Sequence, residues 1–132
     1  MSFVRAIPST AESAKQLIAD AMAYLSQVQA EGKAGNVSEF DFRLALDEAV
    51  QNAYLHGNGR DPGKRIHVSI KSYKQKVQIT VCDEGNGFHA DALPDPKEME
   101  NRFKPHGRGV CLLKNLFRVN WSDGGRCVRV EL

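Results

Sequence analysis

Apolar positions along this chain recur with two periods. From Ala14 onward, Leu17, Ile18, Ala21, Met22, Leu25 and Val28 return at the spacing of one helix face. Ser9-Thr10-Ala11-Glu12 precedes them as a capping-box pattern, and the glycine-rich Glu31-Gly32-Lys33-Ala34-Gly35-Asn36 follows as a break. A helix is predicted between the two. A second helix is predicted from Ser38, with Asp41 as its capping partner, through about His56. Gly57-Asn58-Gly59 and Asp61-Pro62-Gly63 then form a turn cluster. Beyond it the period falls to that of a strand. Ile66, Val68 and Ile70 alternate with His67, Ser69 and Lys71; Val77, Ile79 and Val81 alternate with Gln78, Thr80 and Cys82. The link Ser72 to Gln75 is short enough to join them as an antiparallel hairpin. Residues 2–8 read as a short extended piece ending at Pro8. Val110, Leu112, Leu113 and Leu116 predict a helix over 109–116, and strands at about 117–122 and 126–132 flank the turn Asp123-Gly124-Gly125.

Residues 86–106 fit neither period and are rich in Pro, Asp, Lys and Glu. So long a stretch inside a compact domain is more often a functional lid than an idle loop. The order strand, two helices, hairpin, lid, helix, hairpin predicts an α+β fold. The expected form is a two-layer α/β sandwich, with helices on one face of a mostly antiparallel mixed sheet. The chain has 132 residues and shows no internal repeat, low-complexity tract or linker, so one domain over 1–132 is expected.

Composition narrows the function classes. A hydrophobic share of 42% and a charged share of 26% are those of a soluble globular chain. No apolar run approaches the roughly 18 residues that cross a bilayer, and Met-Ser-Phe-Val-Arg-Ala lacks the apolar centre of a signal peptide. A net charge of +2 weighs against a dedicated nucleic-acid binder. Cys82, Cys111 and Cys127 are odd in number, widely spaced and without a Cys-x-x-Cys pair. They read as reduced, buried small hydrophobes, and the expected compartment is the cytoplasm.

Three short pieces carry candidate chemistry. Glu48 and Asn52 lie four residues apart in a helical stretch, hence on one face. They fit the solvated edge of an amphipathic helix. They equally fit a site in which Asn52 gives an oxygen ligand to Mg²⁺ and Glu48 orients or deprotonates a nucleophile. Asp47 points about 100° further around the helix and is the weaker candidate. His56 continues the face, as a helix-end partner or a phosphate contact. Asp83 leaves a strand into Gly85 and Gly87, a common turn pattern. A carboxylate there can also accept from an adenine amino group, with glycines letting backbone approach the base. Gly107-Arg108-Gly109 matches neither a P-loop nor Gly-x-Gly-x-x-Gly. Its place after the lid and before a helix suits backbone N–H donors facing phosphate, with Arg108, Lys104 and His106 adding charge or simply solvated.

In order and spacing these pieces resemble the asparagine box and the two glycine boxes of the GHKL ATPase superfamily. Asn52-Ala53-Tyr54-Leu55-His56-Gly57 is similar to the asparagine box of the bacterial anti-sigma-factor serine/threonine kinases. So are Phe88-His89-Ala90-Asp91-Ala92-Leu93-Pro94 and Gly107-Arg108-Gly109-Val110 to later parts of that subgroup. Phe117-Arg118-Val119 departs from it, since the family often carries an acidic residue there. The resemblance implies a Bergerat fold that binds ATP and Mg²⁺ under an ATP lid. It implies transfer of the γ-phosphoryl group to a serine or threonine of a STAS-domain anti-anti-sigma partner, within a switch that sequesters a sigma factor or similar regulator. It matches Glu48 to the catalytic glutamate, Asn52 to the magnesium ligand and Asp83 to the adenine-binding aspartate. Gly85, Gly87, Gly107 and Gly109, with Arg108 among them, match the nucleotide loops. Two other outputs stay open: ATP-gated sequestration without phosphoryl transfer, and the ATP-binding half of a split histidine kinase. No direct nucleic-acid or membrane partner is expected, and a homodimer through the N-terminal strand or a sheet edge is left open.

Overall fold

The two-residue period in the middle of the chain builds the sheet. In this computed structural model, which describes residues 2–85, 113 and 116–132, that segment forms β2 (Arg65–Tyr73) and β3 (Lys76–Cys82). They pair antiparallel with Val68 opposite Val81 and Ile70 opposite Ile79. The turn needs only Lys74 and Gln75, both at positive φ (50° and 66°), the backbone twist that matches a tight hairpin. β1 (Ser2–Pro8) adds to the outer edge of β2, with Phe3 opposite Ile70. β4 (Arg118–Ser122) and β5 (Cys127–Glu131) form the last hairpin, and β5 inserts beside β3, with Val128 opposite Val81 and Val130 opposite Ile79. The order is β1-β2-β3-β5-β4, and every pairing is antiparallel. The mixed sheet expected from sequence is thus purely antiparallel among the described residues.

Only one sheet face is apolar, and the helices cover it. α1 (Ala11–Ala30) and α2 (Glu39–Asn52) pack on each other, α1 against β1 and α2 against β3. Leu17, Leu25 and Val28 of α1 and Phe42, Leu46 and Val50 of α2 meet Ile66, Ile70, Ile79 and Val130 in one core. Leu113, from the predicted third helix, is buried in the same cluster. The result is the α+β two-layer arrangement expected of the pattern. The α1 cap is shifted by one residue from the predicted box: Thr10 Oγ, not Ser9, accepts from Ser13 N at 3.2 Å. Ser38 caps α2 as expected, accepting from Asp41 N at 3.2 Å. Among the described residues no helix is long and apolar enough to cross a membrane.

The reading of three reduced cysteines is corrected. Cys82 and Cys127 are opposite one another across β3 and β5 and are joined as a disulfide. Their sequence separation of 45 hides this. Only the register of two strands distant in sequence brings them face to face. Cys111 lies outside the described residues, as do the 86–106 lid and most of the third helix.

Candidate functional site

α2 carries an unbroken apolar stripe, Phe42, Ala45, Leu46, Ala49, Val50 and then Ala53, all buried. Glu48 and Asn52 sit beside that stripe, both half-buried, one turn apart along the helix. Asp47 is also half-buried, so burial alone does not separate it from Glu48.

The helix expected to run to about His56 changes form after Asn52. Ala53–Gly57 is a π-helical turn, closed by Asn58 N donating to Ala53 O at 2.8 Å. Such widened turns are rare and concentrate at functional sites. This one carries Gly57 onto the aspartate turn that leaves β3. A Cβ on Gly57 would overlap the Asp83 carboxyl group, and one on Gly85 would overlap the Gly57 carbonyl. Glycine is needed at both positions for backbone to lie against backbone.

Asn58 fixes the contact. It is only 3% exposed although it belongs to a predicted turn cluster. Its Nδ2 donates to Arg65 O at 2.9 Å, and its Oδ1 accepts from Glu84 N at 2.8 Å. One amide therefore ties the end of the π turn to the start of β2 and to the aspartate turn. A buried polar side chain satisfied at both ends is a strong constraint on position.

Asp83 continues the inward alternation of Val77, Ile79 and Val81, so its side chain enters the layer between sheet and helices. Its N–H donates to Arg126 O at 2.9 Å, and its Oδ1 accepts from Gly85 N at 2.8 Å. Burial pushes the Asp83 carboxyl above the usual aspartate value; the Gly85 N–H and the charges of Arg126 and Lys64 partly oppose it. Glu84 next to it points outward. Its Oε2 lies 3.1 Å from His67 Nε2, and its Oε1 accepts from Arg65 N at 2.9 Å, which together hold its carboxyl below the usual range. Arg126 closes the far side, its Nε donating to Gly85 O at 2.7 Å.

Of the residues singled out in sequence, the structure thus docks the end of the helix bearing Glu48 and Asn52 onto Asp83 and Gly85. Gly87, Gly107, Arg108 and Gly109 lie outside the described residues. Gly57, Asn58 and Arg126 were not among the chosen site residues. The first two stood in the asparagine-box wording and a turn cluster, whereas Arg126 carries no local signal. The amide oxygen of Asn52 is a hard donor of the kind Mg²⁺ takes alongside phosphate and water, and Glu48 one turn away is a carboxylate suited to orienting or deprotonating a nucleophile. Among the described residues no three His, Cys, Asp or Glu side chains gather into a metal cage.

Residues 7–132 match the family model of the histidine kinase-like ATPase domain. Over 82 residues, 58% of this chain and 52% of the other, the chain is 23% identical to a protein named serine-protein kinase RsbW from Oceanobacillus iheyensis. It is 30% identical over 82 residues to an anti-sigma F factor from Geobacillus stearothermophilus, covering 57% of this chain and 53% of that one. The chain spans about half the length of the curated relatives it matches.

Proposed function

The chain belongs to the histidine kinase-like ATPase domain family, and from that premise we propose that it is an ATP-dependent serine/threonine protein kinase acting as an anti-sigma-type switch. One observation supports the reading: the π turn after Asn52 brings Gly57 against Asp83 and Gly85, so the helix that bears Glu48 and Asn52 ends on the aspartate turn. The names of the relatives, a serine-protein kinase and anti-sigma F factors, support the choice of output.

In this reading Asp83 accepts from the adenine amino group, and Gly85 with Gly87 lets the base lie close to backbone. Asn52 would hold Mg²⁺ through its amide oxygen, and the metal would supply charge neutralisation for phosphoryl transfer. Gly107, Arg108 and Gly109, outside the described residues, are the proposed phosphate contacts. Glu48 takes the proton from a serine or threonine hydroxyl as its oxygen attacks the γ-phosphorus. The bond from that phosphorus to the bridging oxygen breaks, and ADP leaves with the electron pair. The acceptor is a STAS-domain antagonist, and the regulator released or held in response is of the sigma-factor class. Residues 1–132 act as one domain in the cytoplasm, where a bond such as Cys82–Cys127 is an exception among structural disulfides.

The test is incubation with γ-labelled ATP, Mg²⁺ and the STAS protein encoded nearest this gene. Phosphoserine or phosphothreonine is expected on the partner. Glu48→Ala should lower the transfer rate about 10²–10⁴-fold, the usual worth of a positioned base, while ATP still binds. Tight ATP binding by the wild type with no labelled partner would leave sequestration, not phosphoryl transfer, as the output.

A further inference from the structure

We propose that Arg126 is a positioning residue for base recognition, holding the Asp83–Gly85 turn in the shape that aims the Asp83 carboxylate. The inference rests on the reading of Asp83 as the acceptor for an adenine amino group.

Arg126 grips the turn at both ends. Its carbonyl accepts from Asp83 N at 2.9 Å, and its Nε donates to Gly85 O at 2.7 Å. Gly85 in turn donates its own N–H to Asp83 Oδ1 at 2.8 Å. The route from guanidinium to carboxylate therefore runs through a single peptide. Arg126 holds the Gly85 carbonyl, the fixed peptide presents its N–H, and the N–H orients the carboxylate. On its opposite side Gly85 abuts the Gly57 carbonyl, so the peptide has no room to shift toward the helix. The guanidinium is itself braced, with Nη1 3.3 Å from Asp123 O and 3.6 Å from Asp123 Oδ1.

Packing does not account for the residue. The Arg126 side chain is 39% exposed and takes no part in the core. Asn58 secures the neighbouring Glu84 N–H and the Arg65 carbonyl, whereas the bond to the Gly85 carbonyl comes from Arg126. Gly57 packs against the Asp83 carboxyl, and the hydrogen-bonded side of its aim falls to Arg126 through Gly85. A hydrogen bond of this kind, here charge-assisted, decides geometry as much as stability.

Two nucleotides separate positioning from a general structural role: ATP, and purine riboside triphosphate, which lacks the 6-amino group. Wild type should prefer ATP. Arg126→Ala should weaken ATP binding about three- to tenfold, the range for one lost hydrogen bond, and leave the analogue nearly unchanged. The preference then collapses at nearly constant melting temperature. Equal losses for both nucleotides, or an undiminished preference, would overturn the inference. Arg126→Lys keeps the charge but not the Nε–H at that reach; it should behave like the alanine variant and replaces it if truncation unfolds the chain. Full ATP preference in the lysine variant overturns the proposed route through Gly85. A wild type that binds ATP without preferring it removes the reading of Asp83 itself, an outcome distinct from failure of Arg126 alone.

Discussion

Asp83 is held in a place that costs the folded chain something. Burial raises its pKa above the ordinary 3.8, and the Gly85 N–H, Arg126 and Lys64 only partly offset this. For a carboxyl with a raised folded pKa, the contribution to stability is fullest below the unfolded value and is lost as pH rises through the folded one. At neutral pH the ionised group is therefore a net burden on folding. Asp83→Asn keeps an oxygen to accept from Gly85 N–H and removes the charge. Its nucleotide-free form should melt no lower than wild type at neutral pH, and any advantage should vanish in acid below 3.8. Its ATP affinity should fall at least about tenfold, as expected for a lost charged acceptor. Melting curves at the two pH values and a calorimetric titration check both halves; a variant destabilised at neutral pH contradicts the account. The aspartate itself was legible, because a strand running into Asp-x-Gly-x-Gly marks it. Its burial was not, since Gly57, 26 residues earlier in the chain, supplies the covering backbone.

At the scale of elements, the site depends on a helix that does not end as a helix should. The residues Ala53 to His56 continue the pattern of α2, and periodicity alone extends the α-helix through them. The structure widens this turn because Asn58 finds its partners on β2 and beyond β3, and those bonds outweigh the local preference for α geometry. Gly85→Ala tests the docking directly. The new methyl would fall on the Gly57 carbonyl, which cannot retreat while Asn58 is tied down. The expected cost is about 1–3 kcal/mol, that of overpacking a filled contact, read as a lower urea midpoint together with weaker ATP binding. Unchanged stability with unchanged binding would mean that the two segments are not in contact. By contrast, the α2 cap and the central hairpin were legible from short windows. Ser38 with Asp41 and the alternation about Lys74–Gln75 depend on neighbours only a few residues away.

Across the whole molecule the sheet order joins parts that are far apart in sequence. β5 lies between β3 and β4, so Cys127 comes opposite Cys82, and Arg126 comes beside Asp83. The disulfide closes a segment of 45 residues that contains the whole of 86–112. A cross-link over a segment that long restricts the unfolded chain, and typical contributions are about 2–4 kcal/mol. Adding a thiol reductant should lower the melting temperature of the wild type, whereas Cys82→Ala should melt at the lower temperature with or without it. Identical wild-type melting in both conditions would show that the bond makes no such contribution. The pair lies on the half-exposed face of the sheet, where a reductant can reach it.

By itself the sequence determined the two long helices, the strands, the α+β class and the family resemblance, and it proposed Glu48, Asn52, Asp83 and Gly85 as site residues. Each rests on periodicity or on a short motif, and both are properties of adjacent residues. Tertiary structure alone decided that β5 pairs with β3, that two of the cysteines meet, that Asn58 is buried and that Arg126 reaches Gly85. The physical reason is the same in each case. Strand register and helix docking are set by burial of the whole core, Val130 opposite Ile79 and Val50 of α2 in the same cluster, and no local window contains that choice. The proposed chemistry was read from short motifs, and the geometry around them came from the packing of residues between them.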